Sequence, residues 1–389
     1  MEEFSRIFEM RVPRTLFGLN ASEQVGGIAK EIGAKRILIL TDPGIKKAGL
    51  VDKITVSIKK ENLPLEIYSQ CLPSVPFGDI GQCCKLVQKE DFNLIIGIGG
   101  GSVMDMAKLV GVLASNGGDV HTLFDPAQMR ARGLSKILLP TTAGTGSEWS
   151  NVAVFTNEPD KRKVPIRSEY LWCDVAIIDP ALTLSLPPSV TAESGMDALS
   201  HAIEAYTSWK ANLIADMFAE EAIRLISENL RMAYAKGSKH IDARTNMAMA
   251  AGLAMLALRS SSSYIVHSLS YPLGNQTDLS HGAACSIMLP PVIEFNLIGN
   301  LEKFARIAWL MGEETEGLSL REKAKRSVGA VRRLSMDLGL KQRLSEVGIN
   351  EDHIPAIVDY VFKFHSYQVE NNPRDLNRED VTQILRAAL

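Results

Sequence analysis

Residues 93–114 read NLIIGIGGGSVMDMAKLVGVLA. Asn93 to Ile98 is a continuous apolar run that ends in glycines, the signature of a strand buried on both faces. The residues after Ser102 carry a helical pattern. A strand, a glycine turn and a helix start make an anion site: glycines let backbone N–H groups face a phosphate, and the helix dipole adds to the attraction. Gly99, Gly100, Gly101 and Ser102 are the candidates. A tight turn with no ligand is the bland alternative, but three consecutive glycines cost chain entropy that a plain turn does not need. The run is not a full GxGxxG. Gly97 and Gly99 fit, Ser102 takes the third place, and no acidic residue follows at the expected distance, so an ordinary Rossmann order is not expected.

The same alternation extends on both sides. Ile37–Leu40 (ILIL), Leu65–Ser69, Ile137–Leu139 and Val175–Ile178 read as further strands, with helices near 22–33, 44–61, 78–90 and 102–115. That order predicts a mostly parallel sheet covered on both faces. Asp42 closes the ILIL strand. There it either meets a ribose hydroxyl, repelling a 2′-phosphate, or serves as a turn residue ahead of Pro43 and Gly44. Pro140–Glu148 (PTTAGTGSE) is a second loop of glycines and hydroxyls at the same kind of strand end, suited to close ligand contact.

After Asp179-Pro180 the character changes. Leu186-Pro187-Pro188 is a turn signal, and helical patterns fill 189–208, 212–236, 240–259, 262–270, 283–297, 300–312, 318–339, 350–364 and 377–388. The predicted organisation is an α/β domain over residues 1–185 and an all-helical domain over 186–389. A chain of 389 residues suffices for two such domains. A net charge of −3 and a pI near 6.2 argue against nucleic acid as a partner. The N-terminus lacks the apolar core of a signal peptide, and no apolar stretch approaches the roughly 20 residues of a membrane span, so a cytoplasmic protein is expected. Five cysteines without a CxxC motif fit free thiols in a reducing compartment, and read as small buried residues, not zinc ligands.

Glu193–His201 (ESGMDALSH) places Asp197 and His201 four apart among good helix formers, hence on one helix face. Such a pair is ordinarily a surface or capping pair. Here His267 and His281 follow in one Gly/Pro-punctuated block of a chain with only seven histidines, and His281 precedes a glycine, where backbones approach closely. One carboxylate and three imidazoles suit iron(II) or zinc, and the set lacks the thiolates of a structural zinc site.

Taken in order, GGGSVMDMAK, PTTAGTGSE, DPALTLSLPP, ESGMDALSHAIEAY, the His267–His281 block and Asn372-Pro373-Arg374 resemble the iron-containing (group III) alcohol dehydrogenase family over nearly the whole chain. The resemblance implies a dehydroquinate synthase-like fold and NAD(H)-linked interconversion of small alcohols and aldehydes at Fe2+, with Zn2+ the alternative ion. It further implies that Asp197, His201, His267 and His281 hold the metal, and that Gly99, Gly100, Gly101 and Ser102 hold the pyrophosphate. Thr141, Thr142, Thr145 and Lys163 would line the cofactor, Asp42 would favour NAD over NADP, and Asn151 would lie near the substrate. Many members carry a histidine four residues after the third metal ligand, assigned to proton relay. Here that position is Tyr271, either a proton-passing phenol or a packing residue. A homodimer or larger assembly is implied. A dehydroquinate synthase-like metal lyase and an NAD-dependent hydroxyacid–oxoacid transhydrogenase are the alternative activities. Substrate contacts are expected from residues 147–151, Leu258, Arg259 and the segment near His365.

Overall fold

The computed structural model describes residues 10–160 and 162–389, so the reading of the N-terminal segment as no signal peptide falls largely outside the described residues. The chain divides into two compact units, Arg11–Leu186 and Pro187–Leu389.

The first unit is α/β. Its strands are β1 (Arg14–Phe17), β2 (Ile37–Leu40), β3 (Leu65–Tyr68), β4 (Leu94–Gly99), β5 (Ser135–Pro140), β6 (Val152–Asn157), β7 (Arg162–Arg167) and β8 (Val175–Ile178). Six form one sheet in the order β1-β8-β5-β4-β2-β3, with every pairing parallel. β6 and β7 make a separate antiparallel pair. The helices are α1 (Val25–Glu31), α2 (Pro43–Lys47), α3 (Leu50–Lys60), α4 (Phe77–Lys89) and α5 (Gly101–Ser115). Alternate strand residues serve opposite faces. Ile37, Ile39, Leu94, Ile96, Ile98, Ile137, Leu139, Val175 and Ile177 pack with Ile28 of α1 and with Val51, Ile54 and Ile58 of α3. On the other face α5 lies close over β4: a Cβ on Gly97 would stand 3.0 Å from Ala107 Cβ.

The expected strands are present, and three more were not anticipated. β1 (RTLF) has only two apolar residues and β7 (RKVPIR) is interrupted by charge, so neither shows the run of a central parallel strand; β6 (VAVFTN) opens with a short apolar run, but buries only alternate residues of it. The single helix expected over 44–61 is instead two, because Gly49 adopts a left-handed φ of 73° between them.

Strand order locates the ligand-binding edge. From β2 the chain moves out to β3, then returns to β2's other side as β4 and continues to β5. The direction reverses between β2 and β4, and in open parallel sheets ligands bind beyond the carboxyl ends of the strands at that point. Those ends are Thr41-Asp42 and Gly99-Gly100.

The second unit is helical: α6 (Pro188–Thr207), α7 (Leu213–Lys236), α8 (Ile241–Ser260), α9 (Ile265–Gln276), α10 (His281–Asn296), α11 (Leu301–Leu310), α12 (Leu320–Asp337), α13 (Ile354–Phe364), α14 (Ser366–Glu370) and α15 (Arg378–Ala388). Gly195–Thr207 of α6 is buried throughout, the mark of a helix at the centre of its unit. α10 begins two residues earlier than its sequence pattern suggests, because Ser280 caps it by accepting from Ala283 N–H at 3.2 Å. One expectation needs correction: His281–Gly299 is long and apolar enough by composition to match a membrane span. Within the unit 67% of that window is buried, so its apolarity serves the core.

Candidate active site

In the helical unit, α6 supplies Asp197 and His201, α9 supplies His267, and α10 supplies His281 as its first residue. The structure brings all four together. Asp197 Oδ1 lies 3.9 Å from His201 Nε2, 4.0 Å from His267 Nε2 and 3.5 Å from His281 Nε2. Tetrahedral ligands about 2.1 Å from an ion stand roughly 3.4 Å apart, so this spacing suits one divalent ion. Asp197 Oδ1 and His267 Nε2 are buried with no hydrogen-bond partner. Buried polar atoms ordinarily have one, and both are atoms that ligate metals, so the donor set fits the group. Gly282 permits the convergence: a Cβ there would lie 2.1 Å from the Glu193 carbonyl oxygen of α6.

Several neighbours escaped the sequence reading. Glu204, fully buried and seven residues after Asp197 on α6, pairs through Oε2 with His267 Nδ1 and accepts from Val266 N–H through Oε1 at 2.8 Å. The i, i+4, i+7 spacing of Asp197, His201 and Glu204 puts all three on one side of α6, but spacing alone does not tell Glu204 from an ordinary helix-face charge. Ser270 Oγ lies 3.0 Å from His281 Nδ1 and donates to the His267 carbonyl at 2.8 Å. All five cysteines are buried and free, as expected. One of them, Cys285, places its Sγ in a group with donor atoms of Asp197, His267 and His281, all within 4.8 Å of one another.

Tyr271 lies one helical turn beyond His267. Its ring stacks on His281 at 5.4 Å and on His365 at 4.8 Å. Burial pushes its phenol well above the ordinary range, so it keeps its proton through neutral pH. Arg259, expected among the substrate contacts, is half-buried at the end of α8.

In the α/β unit, Gly100 precedes α5 in extended conformation and no side chain caps the helix. Its first-turn N–H groups form the anion-attracting end. The two expected loops touch. Thr141 N–H donates to the Gly99 carbonyl at 3.0 Å, a Cβ on Gly101 would lie 2.8 Å from Thr145 Cγ2, and one on Gly100 would lie 3.4 Å from Thr142 Cγ2. The glycines thus form a cradle that any side chain would fill. Thr141 Oγ1 is buried without a hydrogen-bond partner. Ser102 Oγ accepts from Ser74 N–H at 3.1 Å. Asp42 combines its two sequence readings: it caps α2 by accepting from Ile45 N–H at 2.9 Å through Oδ1, and it stands at the switch point.

Beneath these loops, Lys108 of α5 is fully buried. It donates to Ser147 Oγ at 2.6 Å and to the Val152 carbonyl at 2.8 Å, and Ser147 Oγ in turn donates to Asp105 Oδ1 at 2.6 Å. Glu148 is buried beside them, and burial pushes its carboxyl up to about 7. Asn151 is buried and donates to Glu169 Oε1 at 2.7 Å. Lys163 donates to Thr156 Oγ1 at 3.0 Å, and burial lowers its ammonium to about 8.

One unit thus has a sheet of the dinucleotide-binding type, and the other gathers a carboxylate and three imidazoles as a metal site does. Comparison with known proteins agrees with both halves. The iron-containing alcohol dehydrogenase profile matches residues 13–180, and the C-terminal profile of the Fe-containing alcohol dehydrogenase family matches 191–389. A 1,3-propanediol dehydrogenase of Citrobacter freundii is 37% identical over 98% of this chain and 99% of its own. An NAD-dependent methanol dehydrogenase of Bacillus methanolicus is 35% identical over 97% and 98%. The crystal structure of a 1,3-propanediol oxidoreductase superimposes with a TM-score of 0.94 at 36% identity, covering 99% of this chain and 100% of the other. The chain belongs to the iron-containing alcohol dehydrogenase family and is an oxidoreductase of that class. These matches favour the dehydrogenase over the lyase and transhydrogenase alternatives.

Proposed function

We propose that residues 1–185 bind NAD and residues 186–389 carry the metal-dependent chemistry, interconverting small alcohols and aldehydes. The observation that carries this reading is the approach of three imidazole Nε2 atoms to Asp197 Oδ1 at 3.5–4.0 Å. Asp197, His201, His267 and His281 would hold the ion. Imidazole and carboxylate accept both Fe2+ and Zn2+, and the family's name favours iron. When bound, the metal supplies Lewis acidity toward the substrate oxygen, and the nicotinamide supplies the carbon that exchanges hydride.

The chain's own residues do the rest. Gly99–Ser102 offer N–H groups to the pyrophosphate, and Thr141, Thr142 and Thr145 wall the same cradle. Asp42 has one oxygen committed to its cap and the other available to ribose hydroxyls, which favours NAD. Lys163 carries positive charge toward the cofactor below about pH 8. Asn151 stands near the substrate in this reading. Tyr271 acts as a ring wall beside His281, because a phenol that keeps its proton is a poor base. The family resemblance supports a cytoplasmic homodimer or larger homo-oligomer.

An NADH-linked screen of small aldehydes and alcohols, with and without added iron(II), tests the function. Metal-dependent NADH oxidation by at least one aldehyde is expected. Metal bound without net NADH change would refute it.

A further inference from the structure

We infer that Glu204 is a positioning residue that fixes the tautomer of His267 and thereby presents its Nε2 to the metal; this rests on the metal reading above. A carboxylate with no exposure is costly unless its oxygens are multiply hydrogen-bonded. Glu204 Oε1 takes Val266 N–H, in the first turn of α9, where helix N–H groups lack intrahelical acceptors. Oε2 takes His267 Nδ1. One buried carboxylate therefore anchors the start of α9 and orients the imidazole two residues into it. A carboxylate oxygen facing Nδ1 makes that nitrogen the donor, so the neutral ring that binds an ion is the one that offers the lone pair of Nε2. Nε2 is the atom that stands 4.0 Å from Asp197 Oδ1 without a hydrogen-bond partner. The arrangement is the carboxylate–histidine–metal relation that aims a ligand and raises its basicity.

Ser270 has a parallel geometry. Its hydroxyl hydrogen goes to the His267 carbonyl, which leaves Oγ to accept from His281 Nδ1 and turns Nε2 of His281 toward Asp197 Oδ1, 3.5 Å away. Glu204 holds the stronger position, because it is charged and fully enclosed.

Glu204→Gln is the test. A glutamine oxygen can serve one of the two donors, and its NH2 group then faces the other. Metal affinity, measured by chelator competition, should fall roughly 10–100-fold. The ligand-field spectrum of the cobalt(II)-loaded protein should change, whereas NAD binding should not. A folded Glu204→Gln protein with wild-type metal affinity and cobalt spectrum overturns the inference and leaves the metal reading standing. A wild-type chain that binds no metal on reconstitution overturns both. Should Glu204→Gln fail to fold, 15N NMR of the wild-type histidine rings decides, with His267 assigned by its absence in His267→Gln. Recorded on the zinc-loaded protein, a His267 ring protonated at Nδ1 with Nε2 bare of hydrogen supports the inference, and a ring without a proton on Nδ1 overturns it.

Discussion

Gly282→Ala tests how the metal centre is built. In a helix this substitution ordinarily stabilises, by about 1 kcal/mol. Here the added Cβ would lie 2.1 Å from the Glu193 carbonyl oxygen, 2.7 Å from its carbon and 3.3 Å from Asp197 Cβ. The nearest obstacle is backbone of the buried α6, so no side-chain rotation relieves it. Restoring an ordinary contact of 3.4 Å requires the start of α10 to retreat by about 1.3 Å. His281 is the adjacent residue, and its Nε2 stands 3.5 Å from Asp197 Oδ1, so the retreat opens the ligand set directly. Overpacking of this kind costs about 1–3 kcal/mol, and a 1 Å misplacement of a reacting group costs on the order of 100-fold in rate. The expected outcome is a lower melting temperature, weaker metal binding by chelator competition, and kcat/KM down by about that factor, with NAD binding intact. A Gly282→Ala protein at least as stable as wild type, with full metal affinity and turnover, would refute the packing argument.

Three further outcomes follow from the α/β unit. Gly101→Ala should raise the KM for NAD without changing metal content, because its Cβ meets Thr145 Cγ2 at 2.8 Å; adding Thr145→Ser should restore binding in titrations, and failure to do so would place the defect elsewhere. Glu148, with its carboxyl raised to about 7, binds a proton in the folded state that the unfolded chain has released above about 4.5. Stability should therefore fall as pH rises between those values, by up to about 3 kcal/mol, and denaturant melts of Glu148→Gln should lack that contribution. Lys163, lowered to about 8, should make NAD binding weaken as pH rises past that value. Lys163→Met should bind NAD more weakly at pH 7 and lose the pH step, as read by fluorescence titration.

Legibility in the sequence followed the strength of local pattern. ILIL and NLIIGIGGG announced central strands because strands buried on both faces are apolar without interruption. The β6–β7 pair was not legible, since Lys163 and Arg167 interrupt β7 and β6 is half-buried at alternate positions, unlike a strand covered on both faces. The ligand set read from spacing converges in space, with Gly282 supplying the close approach expected beside His281. Glu204, Ser270 and Cys285 were not legible because their meaning depends on which helices meet. A buried glutamate within HAIEAY looks like any helix-face charge until α9 is placed against it. The Lys108–Ser147–Asp105 network was hidden for the same reason: Ser147 lies 39 and 42 residues beyond its two partners on α5.

The most direct test of the central claim is a metal analysis of purified wild type and Asp197→Ala side by side, each paired with NADH-linked turnover and NAD titration. About one iron or zinc per wild-type chain is predicted. Asp197→Ala should lose both metal and turnover while still binding NAD. A variant that keeps its metal and its activity would contradict the account, because Asp197 Oδ1 is the atom around which the three imidazoles gather.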